Sequence, residues 1–222
     1  MGPDVQVRSL IPRPVRLPLC PFPPLCWWQD ARHPDARLDA HEHYQKRSFR
    51  NRIHLMTANG LQRLTVPVER RGGEPRPQDQ TMRSGGEGMK MWRAVRTAYG
   101  AAPFFDELSP ELESLFMLES VSLGEWSRAT MRWSAEWLGV TVPVDAECPS
   151  TPPVPHDQKM ARRSEVWVGS PGMSSGWPHI WRDRGKDIPF GRLSCLDVIL
   201  HCGPEAGRWV SPAPSSGSPR RG

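Results

Sequence analysis

A chain of 222 residues, 37% of them hydrophobic, can close one good-sized domain, because ten Trp and six Phe offset the modest aliphatic content with large buried areas. No apolar run approaches the ~20 residues of a membrane span, and the five Cys (20, 26, 148, 195, 202) contain no Cys-x-x-Cys spacing, which argues against a disulfide framework or an ordinary zinc site. The net charge of +5 is concentrated: between Glu42 and Arg71, seven Lys and Arg stand against two Glu, a surplus as large as that of the whole chain. Such a stretch is either a solvated face or the footprint of an anionic partner, with a phosphate-bearing small molecule ranked ahead of nucleic acid.

Residues 1 to 16 are rich in Pro and Arg and read as a flexible leader without the apolar core of a signal peptide. A cytoplasmic location is the expectation. Residues 17 to 210 then read as a single mixed α/β domain, a small sheet packed by about four helices. Val15 to Trp28 predicts an extended segment, a proline corner and a short helix after Pro24.

His41-Glu42-His43-Tyr44-Gln45-Lys46 follows. On a strand, His41 and His43 share a face opposite Glu42, because side chains alternate. A metal would need a third ligand, for which His33, Asp39 and His54 are the available residues, and no metal is expected. Glu42 and His43 are instead the candidates for general acid/base work. If the strand continues, Lys46, Ser48, Arg50 and Arg52 share a face opposite Phe49 and Asn51, offering guanidinium forks and a hydroxyl to a phosphate or a sugar.

Arg52 to Ala58 and Leu61 to Val68 flank Asn59-Gly60, a dipeptide favoured in two-residue type I′ turns. That turn places Ile53 opposite Val66, Leu55 opposite Leu64, His54 opposite Thr65 and Met56 opposite Arg63. Beyond a polar loop from Glu69 to Gly88, Met89 to Tyr99 reads as a helix stopped by Gly100. Ser109-Pro110-Glu111 signals the start of another helix, and Ser122-Leu-Gly-Glu125 is a capping box opening a third. This third helix carries Leu123, Trp126, Thr130, Trp133 and Trp137 on one stripe, read as core rather than as a ligand platform.

Residues 143 to 164 form a Pro-rich loop, Glu165 to Val168 a short strand, and Trp177 to Trp181 an extended piece. The last helix starts near Ser194, with Asp197 placed for a second capping box, and stops at Gly203-Pro204. Residues 211 to 222 read as a disordered tail. Arg96 and Tyr99 near the end of one helix, with Asp197 and Glu205 at the two ends of another, complete the candidate binding groups. Nucleophile elbows, phosphate loops, dinucleotide fingerprints and His-Glu-x-x-His are all missing, so no standard reaction or cofactor is indicated.

Five segments in order resemble the WbqC-like protein family of bacterial O-antigen and polysaccharide gene clusters. They are Pro18-L-C-P-F-P-P-L-C-W-W28, Glu42-H-Y-Q-K-R-S-F-R-N-R52, the Asn59-Gly60 hairpin with Leu64-T-V-P-V68, Trp92-R-A-V-R-T-A-Y-G-A-A-P-F-F105, and Pro189-F-G-R-L-S-C-L-D197 leading to Cys202-G-P-E-A206. Cys20-Pro21 departs from the family's usual start to the proline corner, and residues 143 to 176 match poorly. The resemblance implies a transferase moving an aminoacyl group, glycine in particular, onto an amino sugar. It carries over Tyr44, Lys46, Ser48, Asn51 and Arg52 as site positions, with Tyr99, Asp197 and Glu205 beside them. In that expectation Lys46, Arg52 and Arg96 hold the anionic group of a nucleotide-linked sugar. Ser48 and Asn51 take its hydroxyls, and Glu42 or His43 removes the proton of the attacking group. A non-catalytic sugar-nucleotide-binding or assembly protein, and an RNA-binding domain, are the rival expectations.

Overall fold

The protein is described here by a computed structural model covering residues 16–34, 36–39, 47–69, 80–82, 86–118, 121–141, 176–182 and 188–210. Strand β1 (Arg16–Pro18) pairs in parallel with β2 (Arg37–Asp39), and Arg16 meets Asp39 across the pair at 3.2 Å. Between them runs the proline corner and helix α1 (Leu25–Ala31), as the proline spacing predicts. Prolines leave carbonyls without matching amides, and two indoles use them: Trp27 Nε1 donates to the Pro18 carbonyl at 2.9 Å and Trp28 Nε1 to that of Pro23 at 3.2 Å. Phe22, between Pro21 and Pro23, has a φ of 40°, a backbone state that ordinary side chains avoid. Two buried hydroxyls hold it there. Its amide donates to Thr130 Oγ1, and its carbonyl accepts from Ser194 Oγ.

The ring of Phe22 is the centre of the core, stacked on Phe116 at 5.4 Å and edge-on to Trp126 and Trp133. These partners come from α3 (Phe105–Phe116) and α4 (Leu123–Leu138). In α4 the Ser122–Glu125 capping box forms and Gly139 closes the helix at φ 58°. The aromatic stripe is core as expected, with Leu123, Trp126, Thr130 and Trp133 buried and Trp137 partly so.

Helix α3 departs from the expected start. It begins at Phe105, so Pro110 lies inside it rather than at its first position. Pro110 has no amide for the Asp106 carbonyl one turn back, and the Ser109 hydroxyl donates to that carbonyl instead, at 3.2 Å. Burial of Phe105 and Leu108, with Asp106 and Glu107 in the first turn, favours the extra helical turn. Helix α2 (Glu87–Tyr99) starts two residues before the expected Met89.

The hairpin forms between β3 (Arg52–Thr57) and β4 (Gly60–Thr65), but its register is not the expected one. Thr57 faces Gly60, Leu55 faces Gln62, Ile53 faces Leu64 and His54 faces Arg63. The connection is Ala58-Asn59, and neither residue has positive φ, whereas a type I′ turn requires it at both central positions. Gly60 alone is left-handed, at φ 103°, as in loops closed by a left-handed glycine. Thr57 settles the choice: its hydroxyl accepts the Asn59 amide at 3.2 Å and donates to the Gly60 carbonyl at 2.9 Å. The slip is even-numbered, so the apolar face is kept while the cross-strand partners change.

Basic residues just upstream do not prolong β3. Arg47 to Arg50 form a turn, with Arg47 at φ 63°, so Ser48 and Arg50 do not share the expected strand face with Arg52, and Lys46 lies outside the described residues. The last helix, α5 (Cys195–Cys202), is followed by a 3-10 turn from Gly203 to Trp209. Among the described residues the two ribbons form two-stranded sheets and five helices pack with them, the mixed α/β arrangement expected. Cys20, Cys26, Cys195 and Cys202 are free thiols. Among the described residues no helix is long and apolar enough to cross a membrane. The segments expected at 143–164, 165–168 and 211–222, and the leader up to residue 15, lie outside the described residues.

Candidate functional site

Two polar clusters lie next to β3. The first is centred on Asp197, which is fully buried on α5. Its carboxylate does not cap the helix: Ser194 Oγ caps Leu196, and Asp197 accepts from three side chains instead. Tyr99 Oη donates to Oδ2 at 2.8 Å, Trp177 Nε1 to Oδ1 at 2.9 Å, and His179 Nε2 lies 2.9 Å from Oδ2. His201, one helical turn after Asp197, places Nδ1 at 2.6 Å from the Asp197 carbonyl and stacks on His179 at 4.2 Å.

Backbone amides fix both imidazoles. The Trp181 amide donates to His179 Nδ1 at 3.0 Å, and the Ile180 amide donates to His201 Nε2 at 3.3 Å. An acceptor nitrogen carries no hydrogen, so each neutral ring carries its hydrogen on the nitrogen turned toward Asp197. Burial pushes the His201 imidazole below its usual range, against the pull of Asp197. His179, Asp197 and His201 bring three ligand-type atoms within 4.8 Å of one another. A metal needs lone pairs there, and with the far ring nitrogens accepting backbone amides the imidazoles present their own N–H groups there instead. The cluster is a closed hydrogen-bond knot. It also holds the Tyr99 hydroxyl well above its ordinary range, through burial and the Asp197 charge.

The second cluster lies on the β3–β4 ribbon itself. Arg52 and His54 share a face of β3, and Arg63 of β4 stands opposite His54. Phe49 packs its ring 4.7 Å from the imidazole. Burial, Arg63, Arg192 and Arg52 together push the His54 imidazole down to about 4, opposed by its hydrogen bond to the Arg192 backbone. Two buried polar atoms here, Arg52 Nε and His54 Nδ1, have no hydrogen-bond partner, and neither has Asn51 Oδ1 just upstream in the chain. Backbone links tie the clusters together, since the Met56 amide donates to Tyr99 Oη at 3.1 Å and the Ser194 amide to the His54 carbonyl at 2.9 Å.

Of the expected site residues, Glu42, His43, Tyr44 and Lys46, with His41, lie outside the described residues. Arg52 lies at the basic cluster, Asn51 is buried beside it in sequence, and Tyr99 and Asp197 meet at the knot. Ser48 uses its hydroxyl within the turn, accepting the Arg50 amide at 3.3 Å. Arg96 lies on the exposed side of α2. Glu205 is exposed and pairs with Arg208 at 3.0 Å, so it forms no carboxylate pair with the buried Asp197. His54, considered only as a metal ligand, Arg63, Arg192, Trp177, His179 and His201 were not among the expected site residues. The Asp197–His201 spacing of four on an apolar helix was the one legible signal for the knot.

The described residues thus give a mixed α/β chain with a cationic ribbon face and a buried carboxylate knot. The WbqC-like protein family model matches residues 32–162, more than half of the chain, and the chain belongs to that family. The match takes in the whole β3–β4 ribbon and α2 to α4, and leaves the proline corner and α5 outside it. The chain is also similar to Uncharacterized protein Rv1507c of Mycobacterium tuberculosis, at 32% identity over 100 residues, 44% of this chain and 43% of that protein. It therefore spans less than half the length of this relative. No solved structure matches.

Proposed function

We propose that the chain binds a nucleotide-linked sugar on the basic face of the β3–β4 ribbon and transfers an aminoacyl group, glycine in particular, to it in bacterial O-antigen or surface-polysaccharide synthesis. One observation carries the binding half: three guanidinium groups act on His54 where Arg52 Nε and His54 Nδ1 are buried without partners. Unpartnered buried polar atoms cost free energy, and a ligand with both an anionic group and hydroxyls satisfies them. Guanidinium groups suit the diphosphate and Asn51 a sugar hydroxyl. The transfer half rests on family membership and on the roles expected of Glu42 and His43 as proton acceptors for the attacking amine.

Thermal-shift titration with nucleotide-linked amino sugars, glycine and single-stranded RNA tests the binding. The expected result is stabilisation by a nucleotide-linked sugar, rising with the logarithm of its concentration and lost in Arg52→Ala. No shift with any such sugar, or a salt-sensitive shift with RNA alone, sinks the reading. An assay supplying an activated aminoacyl donor then separates a transferase from a pathway-binding protein by product formation.

A further inference from the structure

We infer that the outer edge of β4 docks an extended acidic peptide segment of a partner protein, which joins the ribbon as a third, antiparallel strand. This goes beyond the sugar reading and does not depend on it. The Val66 amide donates to the Asn51 carbonyl at 2.9 Å, so alternate residues from 66 back to 60 turn their peptide groups toward β3. Leu61, Arg63 and Thr65 therefore turn theirs away from it, as their partners Met56, His54 and Arg52 do on the far side. The two margins then differ. On β3 the His54 carbonyl and the Met56 amide are taken by Ser194 and Tyr99. On β4 no strand faces Leu61, Arg63 or Thr65 among the described residues, and all three are exposed.

The chain itself pairs in this manner just past β4. The Glu69 amide donates to the Thr81 carbonyl at 3.0 Å, and Val68 bridges Met82 in the antiparallel sense. Helix α2 opens soon after, at Glu87, and the pairing is not continued along β4 among the described residues. Charge selects the occupant. Arg47, Arg50, Arg52 and Arg63 lie between residues 47 and 68, with no Asp or Glu among them. Two copies paired edge to edge about Arg63 would set that arginine against itself, which disfavours self-association. In an antiparallel partner strand, the residues opposite Thr65, Arg63 and Leu61 lie at every second position on one face. An acid opposite Arg63 pairs with it directly, and an acid opposite Thr65 stands diagonal to it. An apolar residue opposite Leu61 covers one of the two large exposed apolar side chains among the described residues. The segment that fits is acid-x-acid-x-apolar.

Fluorescence anisotropy of the labelled peptide Thr-Glu-Val-Glu-Thr-Val-Thr, titrated with the full chain, tests this. In the proposed register the two Glu amides face β4, and the amides of the residues after each Glu face solvent. N-methylation of the two Glu amides is expected to weaken binding at least about tenfold, and N-methylation of the two residues that follow them less than about twofold. Replacing both Glu by Lys is expected to abolish binding. On the protein side, Thr65→Pro removes one outward amide and no bond to Arg52, and is expected to weaken the peptide about fivefold. Arg63→Gln is expected to weaken the Glu peptide while leaving the melting temperature within a few degrees. Equal effects of the two methylation patterns reduce the contact to charge attraction and overturn the added strand. Undiminished binding of the Lys peptide overturns the choice of an acidic partner. Failure of the wild type to bind the Glu peptide overturns the inference, and sedimentation of the chain as a dimer that Arg63→Gln tightens would assign the edge to a second copy instead.

Discussion

Tyr99 donates its hydroxyl hydrogen to the Asp197 carboxylate at 2.8 Å and accepts the Met56 amide on the same oxygen. Through that one oxygen a strand, a helix end and a buried charge are joined. Tyr99→Phe leaves a buried amide and one carboxylate position unbonded, and the expected loss is about 1–3 kcal/mol in urea denaturation. Asp197→Ala strips acceptors from Tyr99 and Trp177 and a partner from His179, so its loss is expected to be larger, about 3–5 kcal/mol. A smaller loss for Asp197→Ala than for Tyr99→Phe contradicts the knot as described.

Acid is expected to destabilise the protein before its carboxylates titrate. His54 and His201 both have imidazoles held below the ordinary 6.5 in the folded state, His54 down to about 4. The unfolded chain then binds more protons, so the stability they contribute is complete above pH 6.5 and is lost as pH falls toward the folded values. Each group adds at most about 1.4 kcal/mol per pH unit to that slope. Urea midpoints measured at pH 7, 5.5 and 4.5 are expected to fall, and less steeply in His54→Gln. A flat profile between pH 7 and 5 is incompatible with two imidazoles held neutral.

Gly60 is expected to resist substitution for a reason unrelated to space. A Cβ there meets nothing within 4 Å, yet the backbone stands at φ 103°. Gly60→Ala is therefore expected to cost about 1–2 kcal/mol through backbone strain alone. Thr57→Val, which removes both hydroxyl bonds across the turn, is expected to shift backbone amide resonances of Ala58 to Leu61. Unchanged resonances there would show that the threonine does not set the turn.

Pro110→Ala restores an amide to the Asp106 carbonyl and is expected to stabilise α3 by about 1 kcal/mol. Ser109→Ala is expected to destabilise the natural chain and to do little in the Pro110→Ala background. Additive effects in that double-mutant cycle would mean the hydroxyl does not stand in for the missing amide.

The described thiols are expected to be poor nucleophiles. Burial pushes Cys26 up to about 12 and Cys195 and Cys202 up to about 11. At pH 8 almost no thiolate is present, so peptide-level mass spectrometry after alkylation is expected to find Cys26 and Cys195 labelled only in denaturant. Rapid labelling of Cys195 in the native protein would contradict its placement against Ser134.

Legibility followed range. The Ser122–Glu125 capping box, the α4 stripe and the glycine stop at Gly139 depend on residues a few positions apart, and each formed as read. The hairpin was legible but not its turn, because Thr57 contributes two side-chain bonds that turn statistics for Asn-Gly do not include. Pro110 misplaced the start of α3, since a neighbouring hydroxyl can replace the amide that proline lacks. Asp197 looked like a cap because Ser194 stands three residues before it. Its actual partners come from residues 99, 177 and 179, which no local pattern relates to it.

The His54 carbonyl and the Met56 amide both point away from β4, and both are already occupied, by Ser194 and by Tyr99. A strand from another molecule that approached this margin would find its hydrogen-bonding positions taken by a tyrosine and a helix cap. Such closure removes the β3 edge as a place where a neighbouring strand could add to a growing sheet.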